Sequence, residues 1–230
     1  MVSALKEAVW KANLDLVKEG LVIQTFGNVS AVDRGEGVVV IKPSGVRYDD
    51  LTPEQMSVVS LEDGKVLEGK LRPSSDLATH LVLYRAFADV GGIVHTHSLF
   101  ATAWAQAKRP IPALGTTHAD YWHGEIPCTR PMTSAEIESA YEANTGEVIV
   151  ETFQNLEPLH RPAVLVASHG PFAWGRDAAD AVHNAAILEY LARLASETLR
   201  IAPETGAMQA ALLDKHFLRK HGPKAYYGQK

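Results

Sequence analysis

The residues best equipped for chemistry in this 230-residue chain are two histidines one position apart, in Gly91-Gly92-Ile93-Val94-His95-Thr96-His97-Ser98. An apolar run leads into them, so the segment has the pattern of a buried β-strand and its end. Side chains at i and i+2 of a strand leave the same face, so both imidazoles can reach one ion. A His-x-His pair is equally compatible with plain polar side chains at a strand end. A second strand-like run, Ala163-Val164-Leu165-Val166-Ala167-Ser168, ends in His169-Gly170. Three imidazoles delivered from two strand ends match a catalytic metal site, which keeps one coordination position open for water or substrate.

Three small-residue turns could complement such an ion. Gly27-Asn28 follows a first strand-like segment, Ser44-Gly45 follows a second, and Ser74-Ser75 opens a helix. Glycines let backbone N–H groups approach an anion, and hydroxyls at a helix N-terminus add donors. Together these turns would make a phosphate cradle, whereas each alone is an ordinary turn. Asp76, next in line, is either a first-turn carboxylate favoured by the helix dipole or a ligand or anchor for the metal. Thr116-Thr117-His118-Ala119-Asp120 lies in a loop bounded by Gly and Pro, where an acid could carry a proton. His118 reads as a structural loop residue, and His80 and His183 as packing or surface residues of helices. His216 and the tail Ala225-Tyr226-Tyr227-Gly228 could bring an imidazole and a phenol to a site, or simply pack. No Gly-x-Gly-x-x-Gly or Walker pattern occurs, so no dinucleotide or ATP site is indicated.

The elements that must position these groups follow from periodicity. Leu5, Val9, Ala12 and Leu16 fall at helical spacing, with Gly20 as the stop. Val38-Val39-Val40-Ile41 is a strand broken by Lys42-Pro43-Ser44-Gly45, and residues 56–61 and 65–67 flank Asp63-Gly64, a hairpin signal. Helices are expected from Leu77 through Tyr84, over 99–107, from Thr133 or Ser134 through Tyr141, over 178–199 and over 212–220. Asn144-Thr145-Gly146 reads as the breaker of the third of these. Hairpin-paired strands with helices between them predict an α/β fold, three layers α/β/α around a largely antiparallel sheet, in one domain over 1–230. Strand order is not legible. With 46% hydrophobic and 21% charged residues this is an ordinary globular composition, without an apolar run of membrane-spanning length. The net charge of −5 argues against nucleic acid as a partner, and the single cysteine, Cys128, suits a reducing cytoplasm.

Taken in order, Gly27-Asn28-Val29-Ser30, Ile41-Lys42-Pro43-Ser44-Gly45, Pro73-Ser74-Ser75-Asp76, His95-Thr96-His97-Ser98 and Ser168-His169-Gly170 resemble the class II aldolase/adducin family. Within it, Gly115 through Tyr121 and the stretches Leu213-Asp214-Lys215-His216 and Ala225 through Gly228 look like the branch that interconverts L-ribulose 5-phosphate and D-xylulose 5-phosphate. The resemblance implies the class II aldolase fold and one zinc ion per subunit, or another divalent transition metal, held by His95, His97 and His169 with Asp76 as neighbour or ligand. It implies that Gly27, Asn28, Lys42, Ser44, Gly45, Ser74 and Ser75 bind a small sugar phosphate. It makes Asp120 and Tyr227 the acid/base pair, assisted by His216 and Thr116. It further implies a homotetramer in which the C-terminal tail completes a neighbour's site. The alternative within the family is an L-fuculose-1-phosphate-type aldolase. There the counterpart of Asp76 is usually a longer glutamate, so the aspartate favours the epimerase branch.

Overall fold

A computed structural model describes residues 2–227; Met1 and residues 228–230, with Gly228 of the tail motif, lie outside the described residues. The chain opens with helix α1 (Val2–Lys18), then strands β1 (Asn28–Asp33), β2 (Val38–Ile41), β3 (Ser57–Ser60) and β4 (Val66–Glu68). Helix α2 (Leu77–Ala86), strand β5 (Gly92–His95), and helices α3 (Leu99–Ala107), α4 (Thr116–Ala119), α5 (Ser134–Glu138) and α6 (Tyr141–Thr152) follow. Strands β6 (Ala163–Leu165) and β7 (Pro171–Gly175) and helices α7 (Ala178–Ile201) and α8 (Ala210–His221) end it.

The strands form one seven-stranded sheet in the order β4-β3-β2-β1-β5-β7-β6, with every neighbouring pair antiparallel. The α/β/α expectation therefore holds, and the hairpin at Asp63-Gly64 is β3–β4. Alternation along β2 sorts its side chains between two cores: Val38 and Val40 join one, Val39 the other. On the first face lie α1, α3 and α7, burying Val9, Leu16, Trp104 and Leu188; on the second lie α2 and α6, with Leu83, Tyr84 and Ile149.

Two local expectations need correction. The apolar residues ahead of Gly27 are not a strand; β1 begins at Asn28, after a loop. Asn144-Thr145-Gly146 does not break a helix but runs through α6, and the true break falls at Ser139-Ala140. Gly146 is there for proximity: a Cβ would lie 2.6 Å from Val82 Cβ, so the missing side chain is what lets α2 and α6 touch. Among the described residues no helix is long and apolar enough to cross a membrane.

Candidate active site

His95 ends β5, the strand between β1 and β7, and is 2% exposed. Its Nδ1–H donates to the Pro171 carbonyl at 2.9 Å, so the lone pair sits on Nε2. That lone pair faces His97 Nε2 at 3.1 Å. His169 comes from a turn rather than a strand end, since β6 already stops at Leu165. The turn is closed by Val166 N–H to Gly170 O at 2.9 Å and carries Ser168 at φ 63°. One ligand nitrogen from each of His95, His97 and His169 lies within 4.8 Å of the others. Phe172 stacks on His95 with centroids 4.2 Å apart, and Tyr141 Oη lies 3.5 Å from His169 Nδ1. Three neutral imidazoles cannot all turn lone pairs toward one point unless a proton or a cation lies between them. Tetrahedral zinc–nitrogen bonds separate ligands by about 3.3 Å, so the donor set fits a divalent metal. Burial pushes His95 down to about 3, and burial with the charge of His97 lowers His169, so both stay unprotonated at neutral pH as ligation requires.

The turns expected to bind phosphate do converge. Gly27, Asn28, Lys42, Ser44, Gly45, Ser74, Ser75 and Asp76 line one cleft of about 420 Å³ with the three histidines. Two backbone bonds tie the loops together, Ser44 N–H to Arg72 O at 2.9 Å and Ser74 N–H to Lys42 O at 3.0 Å. Gly27 is required twice over. Its φ is 81°, and a Cβ would meet the His95 carbonyl at 2.9 Å. The buried Tyr48 phenol, its pKa raised by burial, keeps its proton and lies 2.9 Å from the carbonyls of Phe26 and Gly27. Asn13 of α1 accepts Val29 N–H at 3.0 Å and so anchors β1 to the first helix layer. Lys42 is buried, donates to Val46 O at 2.8 Å and lies 4.8 Å over the Tyr48 ring; burial brings its pKa down to about 8.

Asp76 precedes α2 without capping it through its side chain. Its carboxylate instead accepts Asn28 Nδ2–H at 2.7 Å and faces the cleft beside the histidine cluster. Burial opposes its charge, but the neighbouring imidazoles and the Asn28 bond outweigh that, and its pKa falls below the usual carboxylate value. Asn28 Oδ1 is buried without a partner, an acceptor left for a bound hydroxyl. Sequence reasoning missed Phe26, Tyr141 and Glu142, which also line the cleft. Tyr141-Glu142 opens α6, and only the early break at Ser139-Ala140 could have signalled it.

Asp120, His216, Thr116 and Tyr227 are not part of this cleft. Thr116 opens α4, and its carbonyl accepts Asp120 N–H at 2.9 Å. Asp120 accepts His216 Nδ1–H at 3.0 Å and Arg219 at 3.0 and 3.1 Å, with Lys220 Nζ at 3.8 Å. Tyr227 lies under Arg219, 4.3 Å from guanidinium carbon to ring centre, and is 53% exposed. The candidate site residues thus fall into two assemblies, one of imidazoles and hydroxyls, the other of carboxylate, cations and phenol.

A family model described as the class II aldolase and adducin N-terminal domain matches residues 7–196. The chain belongs to the class II aldolase and adducin family. Among relatives in this family, it is 58% identical to a protein of Salmonella paratyphi B named L-ribulose-5-phosphate 4-epimerase UlaF. The match runs over 226 residues, 98% of this chain and 99% of that one. A like-named protein of Salmonella paratyphi A matches to the same extent. A solved structure of an L-fuculose 1-phosphate aldolase superposes with a TM-score of 0.78 at 26% identity, over 93% of this chain and 94% of that one. The L-fuculose-1-phosphate aldolase of Thermus thermophilus gives 0.67 at 27% identity, over 89% and 98%.

Proposed function

We propose that this protein is an epimerase that interconverts L-ribulose 5-phosphate and D-xylulose 5-phosphate by opening and re-forming the C3–C4 bond. The observation that carries this reading is the 58% identity, along nearly the whole chain, to proteins named L-ribulose-5-phosphate 4-epimerase. The cleft supports it by setting a metal-type donor set beside a cradle of hydroxyls and backbone amides.

C4 of a 2-ketose is β to the carbonyl, so its hydrogen is not acidified and cannot simply be removed and returned. The C3–C4 bond is the one that a retro-aldol breaks. A base takes the C4 hydroxyl proton, C4 becomes an aldehyde, and the bonding pair leaves as a C2–C3 enediolate. Re-addition to the other face of the glycolaldehyde phosphate fragment inverts C4. His95, His97 and His169, beside Asp76, would hold a zinc or other divalent ion, one per subunit, which would supply Lewis acidity worth several kcal/mol to the developing enediolate. Gly27, Asn28, Lys42, Ser44, Gly45, Ser74 and Ser75 hold the phosphate, so the aldehyde can turn without escaping. Asp120 and Tyr227, assisted by His216 and Thr116, move the C4 hydroxyl proton, one on each face of the aldehyde. Because their cluster does not line its own chain's cleft, the reading assigns it to the cleft of a neighbouring subunit of a cytoplasmic homotetramer. The whole of 1–230 then acts as one catalytic domain.

Incubation with L-ribulose 5-phosphate, followed by NMR, tests this. D-Xylulose 5-phosphate is the expected product. Accumulation of glycolaldehyde phosphate without it would instead assign the chain to the aldolase branch, as its likeness to the L-fuculose 1-phosphate aldolases permits.

A further inference from the structure

Behind the cleft lies a polar chain that the proposed mechanism does not use. Ser30 of β1 lies 2.7 Å from His80 Nδ1 and 2.8 Å from Tyr84 Oη, both on α2. All three residues are fully buried. His80 Nε2 is also buried and has no hydrogen-bond partner. The ring stands edge-on to Phe172, the side chain stacked on His95, one helical turn after Asp76. The backbone N–H of His80 donates to the Asp76 carbonyl at 3.1 Å, which places the two residues on successive turns at the start of α2.

The direction of this chain follows from counting protons. If Tyr84 donates to Ser30, Ser30 can donate to His80 Nδ1, and every hydroxyl proton is used. His80 then carries its own proton on Nε2. In the opposite direction His80 Nδ1–H donates to Ser30 and Ser30 to Tyr84. That leaves both the Tyr84 proton and the Nε2 lone pair unpaired in the core, which costs more than one orphan. Burial pushes His80 down to about 4, so the ring is neutral and one tautomer must be chosen.

We propose that Tyr84 and Ser30 hold His80 as the Nε2–H tautomer, and that His80 is a positioning residue whose N–H orients the Asp76 carboxylate when the site is loaded. The kinetic part rests on the epimerase reading; the tautomer does not.

The test combines nitrogen-15 NMR of histidine-labelled apoprotein with kinetics of variants. In the wild-type apoprotein His80 should be Nε2–H, and Tyr84→Phe should admit the other tautomer. His80→Leu should lower kcat about tenfold or more with little change in KM, the usual scale for a residue supporting a ligand set. His80→Gln, which keeps a donor near the Nε2 position, should recover most of that loss. In an Asp76→Asn background His80→Leu should cost nothing further, because the two act through one group. An Nδ1–H tautomer in wild type, equal losses in His80→Leu and His80→Gln, or additive losses with Asp76→Asn would each overturn the proposal. Should His80→Leu fail to fold, the wild-type tautomer and His80→Gln still decide. Absence of any turnover by the wild type would defeat the epimerase reading and leave the tautomer result standing.

Discussion

His97 carries the sharpest consequence of any single residue. It lies outside the sheet and its Nε2 faces His95 rather than the core, so His97→Ala removes a donor without opening a cavity in either core. Zinc stoichiometry and turnover should both fall to background while the circular dichroism stays that of the wild type; full activity would exclude the site. Tyr227 makes the complementary case. Tyr227→Phe keeps the ring under Arg219 and loses only the hydroxyl, so kcat should fall at nearly constant KM, and by the same factor in both directions because a catalyst cannot shift the equilibrium between the two epimers. Unchanged rates would reduce the tail to packing. Buried imidazoles also set an acid limit on the fold. Burial lowers His80 and His118 from 6.5 to about 4. Between those values the unfolded chain binds protons that the folded one refuses, so the contribution of these two groups to stability falls as pH falls through that window and is gone below it. A displacement of that size corresponds to about 3 kcal/mol for each group as an upper bound. Urea midpoints of chelator-treated protein at pH 7 and pH 4.5 should show the decline, and a flat profile would contradict the burial of both rings.

Among the elements, α6 shows where sequence reasoning stops. Asn144-Thr145-Gly146 looks like a helix breaker, because local propensity cannot see that Gly146 faces Val82 across a helix contact. Gly146→Ala should therefore destabilise the fold by about 1–3 kcal/mol of overpacking, although alanine is the better helix former. Urea unfolding would show a lower midpoint at constant slope, whereas a stabilised variant would refute the close approach. Because α6 opens with Tyr141-Glu142, the same change should also disturb the cleft. The strands and long helices are legible, since Val38–Ile41, Leu99–Ala107 and the Asp63-Gly64 hairpin declare themselves by period and turn chemistry. The histidine cluster and the three small-residue turns are legible as types. Their convergence depends on the order β1-β5-β7, and pairings between distant segments leave no local periodicity to read. His80 reads as a packing residue in the sequence because nothing in its helix announces Ser30, fifty positions earlier and on strand β1.

At the scale of the whole molecule, the proposed reading builds a working site from the imidazoles of one subunit and the Asp120 cluster of another. A His97→Ala chain retains the Asp120 cluster, and an Asp120→Asn chain retains the imidazoles. Neither should turn over alone, but subunits dissociated together and reassembled should recover about a quarter of wild-type activity, as random pairing around a ring dictates. No recovery from mixed rings would mean that each chain completes its own site. The proposed chemistry stands on carbon–carbon cleavage, and isotope tracing addresses that most directly. Interconversion of L-ribulose 5-phosphate in heavy water, with zinc-loaded protein, should give D-xylulose 5-phosphate that keeps its original hydrogen at C4, since that hydrogen never leaves carbon in a retro-aldol. Deuterium at C4 of the product would show that the C–H bond breaks instead, and would contradict the mechanism.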